Sequence, residues 1–190
     1  MASINMKDIE DILKEWLDDQ KIKHSINVAR TAQELAKRFS VDKESAYLAG
    51  LVHDIARDLE PHKLLQIARE NNLLQHQIEE KIPVVLHANV GAFILSSELH
   101  ITNGVILQAV QNHTVASPEM SQLDKIIYVA DVIEPDRSFQ GVDILRTLAK
   151  NDLDEAFLKA LEGSITYLMN NRCIIHPFTI EARNNLIFKE

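Results

Sequence analysis

Six residues of this chain pair a metal- or proton-handling side chain with an apolar neighbourhood: His24, His53, Asp54, His87, His113 and Asp131. His53 and Asp54 stand in AYLAGLVHDIA, a stretch otherwise almost purely apolar. A buried carboxylate without a partner is costly, so a cation is required nearby. The other four share that setting. His24 is flanked by Ile22 and Ile26, His87 follows Pro-Val-Val-Leu, His113 ends Val-Ile-Leu-Gln-Ala-Val-Gln-Asn, and Asp131 follows Ile-Ile-Tyr-Val-Ala. Neutral imidazoles suit first-row transition metals, and carboxylates can hold one ion or bridge two. No cysteine belongs to the set, which argues against a thiolate zinc site, while zinc on His and Asp stays open. The His-Asp dipeptide alone is a chance-level signal, and the spacings form no local metal motif. The weight rests on the shared setting. His62, His76 and His100 lie in polar stretches and read as ordinary rim histidines, with His176 intermediate beside Pro177.

Helices must position these residues. Ile9, Ile12, Leu13, Trp16 and Leu17 recur at helical spacing and predict a helix over 6–18, with Trp16 on its apolar face. A second is predicted over 22–39, with Ile26, Ala29, Leu35, Ala36 and Phe39 inward and His24 in its first turn. Asp42 suits an N-cap for a central helix over 43–57 that would carry His53 and Asp54. Pro61 opens a helix over 61–71, the segment NNLLQHQIEEKI is ambiguous, and Pro83 opens a helix over 83–98 containing His87. Asn103 can cap a helix ending near His113. Ser121 with Asp124 resembles a capping box for a helix over 122–133. Helices near 143–150, 152–171 and 179–187 follow. With no period-two pattern, the fold class is all-α, a bundle of roughly nine or ten helices.

Composition agrees. The chain has 190 residues, 46% of them hydrophobic, with five Gly and five Pro, too few for the tight turns of an all-β protein. A formal charge of −8 disfavours a long nucleic-acid duplex as partner, though a small anion could bind at local cations or a metal. The lone Cys173 excludes an intrachain disulfide and reads as a buried small apolar residue. The first sixteen residues carry charges throughout, unlike a signal peptide, and no apolar run reaches membrane-spanning length. A cytoplasmic location, away from membranes, is the expectation.

The order His24, His53-Asp54, Asp131 resembles the HD superfamily of metal-dependent phosphohydrolases. The stretches KHSINVARTAQELA, YLAGLVHDIARDL, LHANVGA, NHT, MSQLDKIIYVADVIEPDRSFQGVDILR and IHPFTIEARN look more closely like its YqeK-type branch, the symmetrical bis(5′-nucleosyl)-tetraphosphatases. The resemblance runs from about residue 20 to 185, and DKIIYVADVIEPDR is its most specific part. It implies a single HD domain over 1–190, with a core at about 20–135 and C-terminal helices 143–187 packed on it. It further implies that His24, His53, Asp54 and Asp131 bind iron, one or two ions, with other divalent transition metals possible. The metal would activate a water that splits diadenosine tetraphosphate into two ADP. His87 and His113 either hold a second ion or act with Asp54 in catalysis on the substrate phosphates. Arg57 and Arg137 are candidate phosphate contacts. Asn27 (one turn after His24) and Thr114 are candidate donors. Pro177 and Thr179 belong to a loop that in the family lies near the nucleotide. His24, Asp54 and Asp131 would face substrate as well as metal. Read as residues alone, Arg57 and Arg137 are equally surface ion pairs, Asn27 a solvated residue, Thr114 a helix end, 175–179 a connector and Asp58 a cap or a partner for Arg57. Many members carry Lys where this chain has Arg57, and a Gly-containing loop where this chain reads Val-Ala-Ser-Pro after Thr114. The resemblance suggests a homodimer. Alternatives are an HD phosphohydrolase of a guanosine polyphosphate, a deoxynucleotide or a cyclic nucleotide, or a nucleotide-binding sensor.

Overall fold

The computed structural model describes residues 6–188 and, for the first helix, the side chains of Ile9 and of residues from 11 onward. Ten α-helices and two 3₁₀ turns, with no strand, make up the described residues. In chain order they are α1 (Met6–Trp16), α2 (Asp19–Arg38), α3 (Lys43–Val52), α4 (Pro61–Glu70), 3₁₀ turns at Gln77–Glu80 and Pro83–Leu86, α5 (His87–Ser97), α6 (Gly104–Asn112), α7 (Gln122–Ile133), α8 (Val142–Leu148), α9 (Leu153–Asn170) and α10 (Pro177–Phe188). The all-α expectation holds.

The helix starts follow cap chemistry. Asp42 accepts the Ser45 N–H at 2.8 Å, and Asn103 that of Val105 at 3.1 Å. Ser121 and Asp124 form the reciprocal box, at 3.2 and 2.9 Å. One start differs from the sequence reading. Asp18 caps α2 by accepting the Lys21 N–H at 2.9 Å, so the helix begins at Asp19 and His24 lies in its second turn.

The core is aliphatic: Leu13, Leu51, Ile55, Leu86, Leu95, Ile126, Ile127 and Leu161, with Phe157, are fully buried. Trp16 packs only partly buried against it. Helices α2 and α3 share the most extensive packing, and Ala29, Ala32, Ala46 and Ala49 on them are buried. A Cβ on Gly50 would sit 2.8 Å from the Cα of Ala29. Helix α7 is the hub, touching α2, α3, α6, α8 and α9, while α10 packs on α9.

Three local departures bear on the site or its surroundings. The predicted helix 43–57 stops at Val52 and tightens into i→i+3 turns, with Ile55 N–H to Val52 O at 3.1 Å and Arg57 N–H to Asp54 O at 2.8 Å. Unbroken burial through Ile55 and Ala56 makes the two geometries alike in hydrophobic pattern. The predicted helix 83–98 is likewise a 3₁₀ turn followed by α5 from His87. Cys173 is exposed, because it follows Arg172 in the left-handed turn (φ 55°) that ends α9, donating its N–H to Leu168 O.

Candidate metal centre

Three of the histidines stand directly after a helix or 3₁₀ turn. His53 follows α3, His87 follows the 3₁₀ turn Pro83–Leu86, and His113 follows α6. The last carbonyls of a helix lack intrahelical partners. Each histidine fills one, three residues back: His53 Nδ1 to Gly50 O at 2.8 Å, His87 Nδ1 to Val84 O at 2.6 Å, His113 Nδ1 to Val110 O at 2.7 Å. A carbonyl cannot donate, so in each case Nδ1 carries the proton and Nε2 presents a lone pair when the ring is neutral. His24, on α2, reaches the same state by another route, with Nδ1 3.2 Å from Oε1 of the buried Glu134.

The four Nε2 atoms converge on two carboxylates. His24 Nε2 lies 3.0 Å from Asp131 Oδ1. Asp54 Oδ1 lies 3.1 Å from His87 Nε2 and 3.3 Å from His113 Nε2, and its Oδ2 lies 3.6 Å from His53 Nε2. The Nε2 atoms of His87 and His113 are 3.1 Å apart. With neutral rings, lone pairs would face carboxylates and one another, an arrangement that calls for protons or a metal cation among them, and among the described residues Nε2 of the fully buried His53 has no hydrogen-bond partner. The donor set therefore fits a metal. Two groups have ligand atoms within 4.8 Å of one another: His24, His53 and Asp131, and His53, Asp54 and His113. They share His53 and together hold five of the six residues singled out in the sequence, and His87 joins them through its 3.1 Å approach to Asp54.

Ionisation follows the same logic. Burial pushes the His53 pKa down to about 4, against the partial opposition of Asp54, so the ring is neutral. Burial would raise Asp54 and Asp131, but the surrounding histidines outweigh it and hold both carboxyls well below the usual range. Burial also lowers His87. For His24 and His113 burial pulls down, yet the hydrogen bonds to Asp131 and Asp54 win and both are raised.

The supporting shell is built by the loop after α7. Glu134 accepts from His24, from Asn27 Nδ2 at 3.1 Å and from the Asp136 N–H at 2.8 Å. Arg137 clamps Asp131, donating Nη2 to Oδ1 at 2.7 Å and Nε to the backbone oxygen at 3.0 Å. Arg146, from α8, holds the loop by donating to the carbonyls of Ile133, Glu134 and Arg137.

A cavity of about 190 Å³ opens on this cluster, lined by Asp54, Arg57, His87, His113, Thr114, Asp131 and Arg137 together with Tyr128, Val132 and Ser164. Arg57 Nη1 lies 3.1 Å from His87 Nδ1, and Thr114 Oγ1 lies 3.1 and 3.0 Å from the Nε2 atoms of His87 and His113. Other expected residues sit elsewhere. Asn27 is engaged by Glu134 and Asp136, not the cavity. Thr179 bonds to Val115 O at 2.8 Å, and neither it nor Pro177 lines the cavity. Asp58 anchors the start of α2 through the Asp18 N–H and Lys21, away from Arg57. Sequence reasoning missed Glu134, Tyr128, Arg146 and Ser164. Glu134 and Tyr128 lie three residues either side of Asp131, a spacing that places them on its face. Nothing local marks Arg146 or Ser164.

An all-helical bundle that gathers four histidines and two aspartates beside one cavity offers the donor set of a metal centre of the His/Asp type. Residues 22–136 match the HD domain. The chain is 37% identical to the symmetrical bis(5′-nucleosyl)-tetraphosphatase of Halalkalibacterium halodurans, covering 94% of this chain and 95% of that one. It is 34% identical to the protein of the same name from Bacillus subtilis, over 97% and 98%. A crystal structure from Clostridium acetobutylicum, described as a predicted HD superfamily hydrolase involved in NAD metabolism, superposes with a TM-score of 0.96 at 36% identity, covering both chains completely. The chain belongs to the HD-domain family.

Proposed function

We propose that this protein is a metal-dependent phosphohydrolase that cleaves diadenosine tetraphosphate symmetrically into two ADP. The observation that carries the reading is the convergence of four Nε2 lone pairs on Asp54 and Asp131 beside a cavity edged with arginine. The names of the relatives supply the substrate.

His24, His53, Asp54 and Asp131 would hold the metal, which we take to be iron, since such a nitrogen and oxygen set suits it. When bound, the metal lowers the pKa of water and polarises a phosphoryl oxygen. The two oxygens of Asp54 face different histidines, and His87 and His113, both beside Asp54 Oδ1, would help hold a second ion. Their Nδ1 protons are committed to Val84 and Val110, which leaves Nε2 of each ring facing the cluster. Arg57 and Thr114 face the cavity and would position the phosphate chain, and Arg137 offsets negative charge beside Asp131. In the net reaction the oxygen of water bonds to one of the two central phosphorus atoms. The bond from that phosphorus to the bridging oxygen breaks, and the second ADP leaves with that oxygen. The cavity of about 190 Å³ adjoins the ligand candidates and would take the phosphate chain.

No helix among the described residues is long and apolar enough to cross a membrane. We take the protein to be a cytoplasmic homodimer. Exposed Tyr167, Met169 and Ile174, at and beyond the end of α9, are candidates for the pairing face. The deciding experiment is product analysis with iron-reconstituted protein. Two ADP per diadenosine tetraphosphate is the expected outcome, and AMP with ATP, or no turnover, refutes the reading.

A further inference from the structure

Tyr128 and Ser164 line the cavity but belong to no metal group. Tyr128 lies one turn before Asp131 on α7, 3% exposed, its ring edge-on to Phe157 at 5.1 Å and 82°. Its hydroxyl donates to Ser164 Oγ at 3.3 Å, across to α9. Burial pushes its pKa up to about 12, so it keeps its proton at any working pH. With Tyr128 as donor, Ser164 is the acceptor, and its own proton must go elsewhere. In helices a hydroxyl commonly donates to the carbonyl four residues back, as Thr166 does to Glu162 and Thr147 to Asp143. Ser164 makes no such bond among the described residues, and its side chain borders the cavity.

We propose that Ser164, held in orientation by Tyr128, donates a hydrogen bond to a non-bridging phosphate oxygen and so forms an uncharged phosphate subsite on the α9 side of the cavity. Other donors lining the cavity, Arg57, Thr114 and Arg137, come from the segments following α3, α6 and α7. The proposal rests on the phosphate-binding part of the functional reading, not on the identity of the dinucleotide. A neutral donor lets the site grip phosphate without placing another charge beside Asp54 and Asp131.

The test is calorimetric binding of inorganic phosphate and of ADP to metal-loaded protein, with thermal melting in parallel. Ser164→Ala should weaken both probes by about tenfold, the scale of one hydrogen bond to a charged group. Ser164→Thr, which restores a hydroxyl, should recover most of that loss. Tyr128→Phe should cost about threefold, and the double variant should bind no more weakly than Ser164→Ala, since both act through one donor. Unchanged phosphate binding with a lowered melting temperature would reduce the pair to a tie between α7 and α9 and overturn the proposal. Loss of ADP binding alone would also overturn it, by assigning the pair to the nucleoside. Weakened phosphate binding in a protein that releases no ADP from diadenosine tetraphosphate would sustain the subsite and sink the proposed substrate.

Discussion

Replacing Glu134 by Gln is the sharpest test of the metal centre, because it changes one atom and removes one charge. Three donors aim at two carboxylate oxygens: His24 Nδ1 at Oε1, and Asn27 Nδ2 with the Asp136 N–H at Oε2. Glutamine offers a single oxygen. Turned toward His24, it sets its amide hydrogens against the other two donors at distances near 3 Å. Turned the other way, it presents an N–H to His24 Nδ1 and drives the ring to the tautomer whose Nε2 is protonated and cannot bind metal. Either arrangement leaves part-buried donors unpaired or misprotonates a ligand, at about 1–3 kcal/mol. Carboxylates that orient metal-bound histidines are worth about 10–100-fold in affinity, the same range. Competition with a calibrated chelator should show that loss in E134Q. Asn27→Ala, which leaves the His24 contact intact, should lose no more than about threefold, one weak hydrogen bond. An E134Q protein that holds metal as tightly as the parent, or an N27A protein that loses as much as E134Q, would refute the orienting role of Glu134.

Two further outcomes follow from the packing and from a buried carboxylate away from the site. Gly50→Ala drives a Cβ to 2.8 Å from the backbone of Ala29, where no side chain can yield, and should destabilise by about 1–3 kcal/mol in chemical denaturation. Glu79 is buried, yet His176 and the N–H groups of Gln75 and His76 outweigh that burial and hold its carboxyl below the ordinary value of 4.5. Its contribution is therefore full above pH 4.5 and lost as pH falls through the depressed folded value. Acid unfolding curves of Glu79→Gln should lack that part of the parent's pH dependence, and superimposable acid limbs would contradict it.

Much of the site was legible because polar burial is costly: five of the six ligand candidates interrupt or end an apolar run, His24 stands between Ile22 and Ile26, and all six meet. The helices were legible from periodicity and caps such as Asp42 and Ser121. The tightened turn after Val52 was not, since α and 3₁₀ turns bury the same apolar pattern and differ only in which carbonyl an N–H meets. His76 looked like a rim residue, yet it caps the Gln77–Glu80 turn jointly with Glu79, in a segment without readable periodicity. Arg146 and Ser164 reach the site only through packing of α8 and α9 on α7, which no local pattern records. The reverse holds for Asn27, whose helical spacing from His24 was right but whose side chain went to Glu134.

The three histidines that stand directly after a helix or 3₁₀ turn obey one short-range rule, a ring proton given to the carbonyl three positions earlier. Each segment thus arrives at the centre with its lone pair already aimed, whatever the remainder of the chain is doing. Assembly of the site becomes a docking of prefabricated parts, and distant substitutions can shift a whole helix while the aim of its histidine travels with it. Only His24 depends on a partner from a distant stretch of sequence, 110 positions away. Drift in the loop after α7 therefore reaches one ligand directly and leaves the other three pointing as before.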